Sequence, residues 1–155
     1  MYNASMSDAL PEIDLYTDGA CKVNPGNGGW ACILRTQDGT ETVLSGGMPD
    51  TTNNQMELMA VIQGLQSLES PSLVRIHSDS TYVLKGLEEW LENWKRKGWK
   101  TANKKPVKNQ ELWKLLDELK NKHTLEFNWV RGHNGHPENE RCDELAVEES
   151  NLVGR

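Results

Sequence analysis

The chain has 155 residues, of which 36% are hydrophobic and 26% are charged, and its formal net charge is −6. A chain of this length fits one domain, which buries roughly 68–70% of the surface that the unfolded chain exposes. The composition is typical of a soluble globular protein, and no stretch approaches the roughly 18 apolar residues of a membrane span.

Neither the N-terminal residues nor the cysteines indicate a secreted protein. Residues 1–11 lack the basic and apolar regions of a signal peptide, so we expect a loose tail there. Cys21, Cys32 and Cys142 form no CxxC pair, which argues against a disulfide framework or a structural zinc site. We therefore predict free thiols and a reducing compartment, the cytoplasm.

The first predicted strand ends in an acid. Residues 13–18 alternate between apolar and polar side chains, which is the period of a strand with two distinct faces, and the run closes on Asp18. We expect Gly19 to let the backbone turn beside this acid. Asn24-Pro25-Gly26 and Gly28-Gly29 are then expected to form a wide loop that a ligand backbone could approach.

Two more strands and a long helix follow. Trp30–Arg35 and Glu41–Ser45 are predicted to pair antiparallel across the Asp38-Gly39 turn. Residues 51–54 offer N-cap chemistry for a helix over Met56–Leu68. That helix should end near residues 70–71.

The second half of the chain alternates strands and helices. The expected elements are a strand over Leu73–Ser78 that leads into Asp79, helices over Thr81–Gly86, Leu87–Lys95 and Glu111–Asn121, a strand over Thr124–Val130, and a last helix from Pro137. The order β-β-β-α-β-α-α-α-β-α predicts a mixed sheet with helices on both faces. We expect one α/β domain over residues 12–150 and a C-terminal tail over residues 151–155.

Charge is distributed unevenly. Residues 93–110 hold seven basic side chains and no acidic one, whereas the remaining residues hold 10 basic and 23 acidic ones. An acidic protein with one concentrated cationic stretch is expected to meet a polyanion at that place. The alternative is that these lysines form a solvated face.

Four acids occupy unusual positions. Asp18 and Asp79 end strands, while Glu57 and Asp143 lie on the apolar stripes of helices, without a Lys or Arg at helical spacing. A carboxylate on an apolar stripe costs free energy on burial unless it is paired, protonated or bound to a cation. For Asp143 alone, attraction to the helix dipole is an equally good explanation. For the four acids together, an oxygen-only set favours a shared hard ion, Mg²⁺ or Mn²⁺.

Acids that converge on Mg²⁺ beside a polyanion-binding stretch indicate phosphoryl transfer on a nucleic acid, with two ions about 3.5–4 Å apart. The chain resembles bacterial type 1 ribonuclease H over about residues 12–148. The motifs that carry this resemblance are, in the order of the family, YTDGAC-VNPGNGGW, TTNNQMELMAVIQGL, HSDSTYV, WLENWKRKGWKTANKKPVK and WVRGHNGHPENERCDELA.

The resemblance implies an α/β, ribonuclease H-like fold with a mixed five-stranded sheet, three antiparallel strands followed by two parallel ones. It implies an endonuclease that hydrolyses the RNA strand of RNA/DNA hybrids without strong sequence preference. The implied products carry 5′-phosphate and 3′-hydroxyl ends, and the implied cofactor is a pair of Mg²⁺ ions, for which Mn²⁺ can substitute. Since no exposed apolar heptad suggests assembly, we expect a monomer without an obligate protein partner.

The resemblance also assigns residues. It makes Asp18, Glu57, Asp79 and Asp143 the metal-binding carboxylates, and His133 the histidine that assists proton transfer or product release. An imidazole between Gly132 and Gly135 suits that role, because its ordinary pKa of about 6.5 lies near neutrality. The implied hybrid-binding residues are Gly19, Ala20, Cys21, Asn24, Thr52, Asn53, Asn54, Gln55, Trp90, Trp94, Lys95, Arg96, Lys97, Trp99 and Lys100.

Some assignments keep alternatives. Trp90 and Trp94 fit a DNA-binding handle and a hydrophobic core equally well, whereas Trp113 and Trp129 are predicted to be core. Three positions depart from the family pattern: Ala20 replaces a frequent Ser, Gln55 an Arg and Thr81 a Gln. Loss of the arginine could weaken the affinity of a pocket for a DNA phosphate, near Thr52.

Three rival functions are weaker. An exonuclease of the DEDD class would need D-x-E at its first motif, where this chain has Ala20. A catalytically silent hybrid-binding module should have lost an acid or the histidine. A metal-buffering or structural protein would leave the basic stretch and the amide-rich loops unexplained.

Overall fold

The computed structural model of the chain describes residues 9–131 and 136–154. It contains five strands, β1 Glu12–Cys21, β2 Gly26–Thr36, β3 Glu41–Thr51, β4 Leu73–Ser78 and β5 Thr124–Trp129. The helices are α1 Asn53–Gln66, α2 Thr81–Lys85, α3 Leu91–Arg96, α4 Gln110–Lys122 and α5 Pro137–Leu152, and a π-helical turn over Gly86–Trp90 joins α2 to α3. None of these helices is long and apolar enough to cross a membrane.

The sheet has the order β3-β2-β1-β4-β5. β1, β2 and β3 pair antiparallel, while β4 pairs parallel with both β1 and β5. This arrangement confirms the predicted mixed sheet of three antiparallel strands followed by two parallel ones. It places β1 in the centre, next to β4, so Asp18, just beyond the paired part of β1, and Asp79, directly after β4, come close together.

Alternating residues of β2 show how both faces of the sheet are covered. Cys32 and Leu34 pack in the main core with α1 and α4, whereas Ala31 and Ile33 pack against Cys142 and Ala146 of α5. Strand side chains alternate between the two faces, so this division places α1 and α5 on opposite sides. Helices on both faces are therefore confirmed.

Helix α1 begins as its sequence predicts. The Thr52 hydroxyl accepts from the Gln55 N–H at 3.2 Å, and the Gln55 side chain accepts from the Thr52 N–H, which is a capping box. The helix ends at Gln66, earlier than predicted. There the Ser67 hydroxyl donates to the Gly64 carbonyl at 2.7 Å, closing the last turn before residues 70–71 are reached.

The predicted glycine loop is wrong in two respects. β1 does not turn at Gly19 but continues to Cys21, and β2 already begins at Gly26, so Gly28 and Gly29 are strand residues. These glycines serve close packing: a Cβ on Gly19 would lie 2.5 Å from the Glu57 nitrogen, and one on Gly29 would lie 2.1 Å from the Ala146 carbonyl oxygen. The glycines thus let α1 and α5 approach the sheet closely.

Candidate active site

Three of the four predicted acids converge. Asp18 lies in β1, Asp79 directly follows β4, and Glu57 lies in the first turns of α1. Each offers an oxygen atom, and these atoms lie within 4.8 Å of one another. The close approach of α1 at Gly19 brings Glu57 over Asp18, while the parallel pairing of β1 and β4 brings Asp79 alongside.

Burial makes negative charge on the carboxylates of this cluster unfavourable. Asp18 is 3% exposed and Glu57 is 6% exposed. Burial, followed by the negative charges of Asp18 and Asp79, raises the pKa of Glu57 well above its usual value. Within the described residues the buried Glu57 Oε1 has no hydrogen-bond partner. A hard divalent cation fits this oxygen-only set, because it supplies the missing positive charge and coordinates the oxygen.

The fourth acid faces the same cavity. Asp143 is half-exposed and comes from α5, on the other face of the sheet. It lines a cavity of about 360 Å³. The full lining is Asp18, Gly19, Asn53, Asn54, Glu57, Asp79, Ser80, Thr81, Tyr82 and Asp143. The structure therefore brings all four predicted carboxylates to one cavity, three of them as a tight cluster.

A second cavity of about 510 Å³ adjoins the N-terminus of α1. It is lined by Asn24, Pro25, Thr52, Asn53, Asn54, Lys108 and Asn109, so it shares Asn53 and Asn54 with the acid-lined cavity. The first turn of α1 carries no acidic residue. The amides of the helix end and the Lys108 ammonium therefore favour an anion in this cavity.

A chain of polar side chains runs between the two cavities, and it was not predicted from the sequence. The Gln55 Nε2 donates to the Asn109 Oδ1 at 3.1 Å, and the Asn109 Nδ2 donates to the Tyr82 hydroxyl at 3.1 Å. The same hydroxyl accepts from the Trp113 Nε1 at 2.9 Å. Gln55, predicted to contact substrate, is thus engaged inside the protein on both ends of its amide.

The other predicted hybrid-binding residues of the first strand and helix lie near these cavities. Gly19, Asn53 and Asn54 line the acid-lined cavity, and Asn24 and Thr52 line the second one. Ala20 and Cys21 are half-buried at the end of β1, and neither cavity includes them. The Cys21 thiol donates to the Val23 carbonyl at 3.1 Å.

The basic stretch forms α3 and the loop that follows it. Arg96, Lys97 and Lys100 are exposed. The Lys95 ammonium instead lies 3.3 Å from Asp117 and 3.6 Å from Glu92. Hydrogen bonding to Asp117 raises the pKa of Lys95, so this lysine stays charged but is engaged within the protein.

The tryptophans of this region divide between core and surface. Trp113 is fully buried, as predicted, and its ring packs edge-on against Trp94 with centroids 5.3 Å apart. Trp94 and Trp99 are half-buried against the main core, and Trp90 contacts Trp94 at 5.8 Å. These contacts favour the core alternative for Trp94.

Trp129 was wrongly predicted to be core, because it is 49% exposed. It ends β5, which is an edge strand of the sheet. Its Nε1 donates to the Asp79 carbonyl at 3.3 Å, and the Arg131 guanidinium lies 5.4 Å from the centre of its ring. Trp129 therefore supports the backbone of a site residue.

His133, which the resemblance makes the histidine of the site, lies outside the described residues.

One further residue was missed. Asn139, in the first turn of α5, is 2% exposed and donates to backbone carbonyls of both β1 and β4. A signal was present in the sequence, since Asn139 precedes Asp143 by four residues and so shares its helix face.

Comparisons with known proteins agree with this geometry. The family model described as RNase H matches residues 11–151. The chain is 53% identical to Ribonuclease H of Cupriavidus necator, over 94% of this chain and 100% of that one. It is 55% identical to Ribonuclease HI of Caulobacter vibrioides, over 89% of this chain and 92% of that one.

Solved structures show the same architecture. LC9-RNase H1, a type 1 RNase H with the type 2 active-site motif, is 28% identical, with a TM-score of 0.82, over 92% of this chain and 73% of that one. LC11-RNase H1, solved in complex with RNA/DNA hybrid, is 23% identical with a TM-score of 0.66, over 90% of this chain and 96% of that one, and shows the shared fold. From the family match, the curated relatives and the acidic cluster together, the chain belongs to the RNase H family of hydrolytic nucleases, which depend on a divalent metal ion.

Proposed function

We propose that this protein cleaves the RNA strand of RNA/DNA hybrids internally, leaving 5′-phosphate and 3′-hydroxyl ends without strong sequence preference. The observation that carries the proposal is the convergence of Asp18, Glu57 and Asp79 within 4.8 Å, with Asp143 on the same cavity. Family membership and the hybrid-bound LC11-RNase H1, which shares this fold, support the substrate.

The four carboxylates would hold two Mg²⁺ ions, or Mn²⁺ as a substitute. When bound, the ions lower the pKa of the attacking water and neutralise charge on the leaving oxygen. The protein orients one of these carboxylates itself: Asp18 lies in the central strand, where its Oδ1 accepts from the Gly19 N–H at 2.9 Å. His133 is proposed to move a proton or assist product release, a role that suits histidine because an unperturbed imidazole changes charge near neutral pH.

Asn53 and Asn54 are proposed to read the hybrid, because they line both the acid-lined cavity and the second cavity. Amide side chains can bond 2′-hydroxyls and sugar oxygens without reading base edges, which suits recognition that ignores sequence. The second cavity, with Thr52 and Lys108, is proposed to receive a phosphate of the DNA strand. Gln55 does not line this cavity, and its amide bonds to Thr51 and Asn109 instead.

A cleavage assay on labelled duplexes tests the proposed activity. With Mg²⁺, we expect cuts within the RNA strand of a hybrid, while RNA-only and DNA-only duplexes stay largely intact. Chelation of the metal should stop the reaction, and end analysis should find 5′-phosphates. Equal cutting of the three duplexes, or cutting that survives chelation, would contradict the proposal.

The exposed cations of the basic stretch are proposed to contact the DNA strand. Replacing Lys97 and Lys100 by Ala should raise KM and flatten the dependence of log Kd on log salt by about 0.7–0.9 per lost phosphate contact, because fewer counterions are released. Lys95→Ala is the matched control. Since Lys95 is engaged by Asp117 and Glu92, its loss should change the salt dependence less.

Filter binding of a hybrid would measure both slopes at salt concentrations from about 50 to about 200 mM, a range over which phosphate contacts change the affinity strongly. Equal slopes for Lys95→Ala and the double variant would show that Lys95 also contacts phosphate. Unchanged slopes for both would assign the basic stretch to a solvated face.

We further propose that the protein acts in the cytoplasm as a monomer. Cys21, Cys32 and Cys142 are all free thiols, which agrees with a reducing compartment.

A further inference from the structure

Asn139 lies where the two central parallel strands separate. β1 and β4 pair as far as Tyr16 and His77, and the register ends there. The Asn139 Nδ2 donates to the His77 carbonyl at 3.1 Å and to the Thr17 carbonyl at 3.5 Å. One buried amide therefore bridges the two strands at the point where their ladder stops.

This bridge lies next to three of the four acids in sequence. Thr17 directly precedes Asp18, and His77 precedes Asp79 by two residues. Asn139 and Asp143 are four residues apart in α5, so they lie on the same helix face about one turn apart. The contacts of Asn139 thus fix the start of α5 relative to both strands, one turn before Asp143.

The orientation of the amide is determined by its partners. A flipped amide would direct its oxygen at two carbonyl oxygens, so only Nδ2, which carries two hydrogens, fits here. The Oδ1 atom is buried and has no hydrogen-bond partner among the described residues. A buried polar atom without a partner costs free energy, which an apolar side chain would avoid. On the next turns of the same helix the buried positions hold the apolar Cys142 and Ala146, so packing alone does not require an amide at position 139.

We propose that Asn139 is a positioning residue that sets the distance between Asp143 and the acids of β1 and β4, and so completes the cation site. This inference rests on the proposed metal site. It goes further, because it makes the affinity for a divalent ion depend on a side chain that is not itself a ligand in the proposal. Partners that orient metal ligands commonly have such an effect.

The test is Mn²⁺ binding, measured by calorimetry and by electron paramagnetic resonance on the full chain without substrate. Asn139→Ala should raise the Mn²⁺ dissociation constant by about 10- to 100-fold, and kcat should fall while KM for the hybrid is unchanged. Asn139→Asp keeps the volume but replaces the donor with an acceptor, so it should be at least as defective. Rescue by Asp would overturn the proposal in favour of packing.

Ser150→Ala is the matched control. Ser150 is a buried polar residue of α5, 6% exposed, whose hydroxyl donates to the Val147 carbonyl two turns beyond Asp143. Its loss should leave Mn²⁺ affinity unchanged. An equal change in the Ser150 and Asn139 variants would overturn the proposal, since it would mean that any defect in α5 weakens binding.

A double-mutant cycle with Asp143→Asn identifies the path of the effect. If Asn139 acts through Asp143, Asn139→Ala should change Mn²⁺ affinity little in the Asp143→Asn background. Full additivity would overturn the proposal. If the unaltered protein bound no Mn²⁺, the metal site itself would be refuted, and this inference with it.

Should the Asn139 variants fail to fold, the unaltered protein still provides a measurement. The side-chain amide resonances of Asn139 should shift during a Mg²⁺ titration with the same midpoint as the backbone amides of Asp18 and Asp79. An Asn139 amide that does not respond would contradict coupling between this residue and the cation site.

Discussion

Asp18→Asn is expected to lower kcat roughly a thousandfold or more, because a metal ligand contributes several kcal/mol to catalysis and about 1.4 kcal/mol corresponds to a factor of ten. Asn keeps the Oδ1 atom that accepts from the Gly19 N–H, so the strand should keep its geometry. Hybrid binding, measured without cleavage in the presence of Ca²⁺ or a chelator, should stay close to that of the unaltered protein. Multiple-turnover cleavage of a labelled hybrid at saturating substrate gives kcat.

Asp14→Asn provides the control for this loss. Asp14 lies in the same strand, where its carboxylate pairs with His77 at 2.8 Å, and it does not line the acid-lined cavity. The same chemical change there should leave most of the activity. Substantial turnover by Asp18→Asn, or an equal loss in the two variants, would show that the metal-site assignment is wrong.

Glu57→Gln is expected to stabilise the metal-free protein at neutral pH by roughly 1–3 kcal/mol, because an unpaired buried carboxylate costs more than the neutral amide that replaces it. Burial and the charges of Asp18 and Asp79 raise the pKa of Glu57 in the folded state above the ordinary 4.5. The protonated Glu57 carboxyl therefore makes its whole contribution to the free energy of unfolding below pH 4.5. This contribution is lost as the pH rises through the pKa that Glu57 has in the folded protein. Gln cannot ionise, so it removes this loss.

Urea unfolding with a chelator at several pH values between 5 and 8 measures this effect. The unaltered protein should lose stability relative to Glu57→Gln as the pH rises, whereas saturating Mg²⁺ should reverse the order, since Gln is the weaker ligand. Glu118→Gln, at an exposed position of α4, should show no such pH-dependent difference. Parallel stability curves for Glu57→Gln and the unaltered protein would contradict a raised pKa of Glu57 in the folded state.

Local features of the sequence were sufficient to predict most elements. The alternation over residues 73–78 predicted β4, the Asp38-Gly39 turn predicted the β2–β3 hairpin, and Thr52 with Gln55 forms the cap of α1. Such features act within a few residues, so they do not depend on what the element packs against. The four carboxylates were also recognisable, because Glu57 and Asp143 lie on apolar stripes, where an acid needs a compensating charge, and Asp18 and Asp79 lie in motifs that resemble the family.

Long-range packing decided the cases in which the local pattern was ambiguous. Trp113 and Trp129 are chemically identical, but Trp113 faces the core from α4, whereas Trp129 ends an edge strand and is exposed. Gly28 and Gly29 look like turn residues, yet they lie in β2, where the absence of a side chain lets neighbouring elements approach closely. Lys95 looked like its basic neighbours, but Asp117, 22 residues later in the chain, engages it.

The sequence by itself determined the family, the order of the elements and the four acids that a cation would need. Only the tertiary structure decided that Asp18, Glu57 and Asp79 lie within 4.8 Å of one another, and that Asn139 bridges β1 and β4 beside them. The physical reason is that periodicity shows which face of an element is buried but not which element covers it. The distance between acids on different elements is set by that partner, through the close approach at Gly19 and the parallel pairing of β1 with β4.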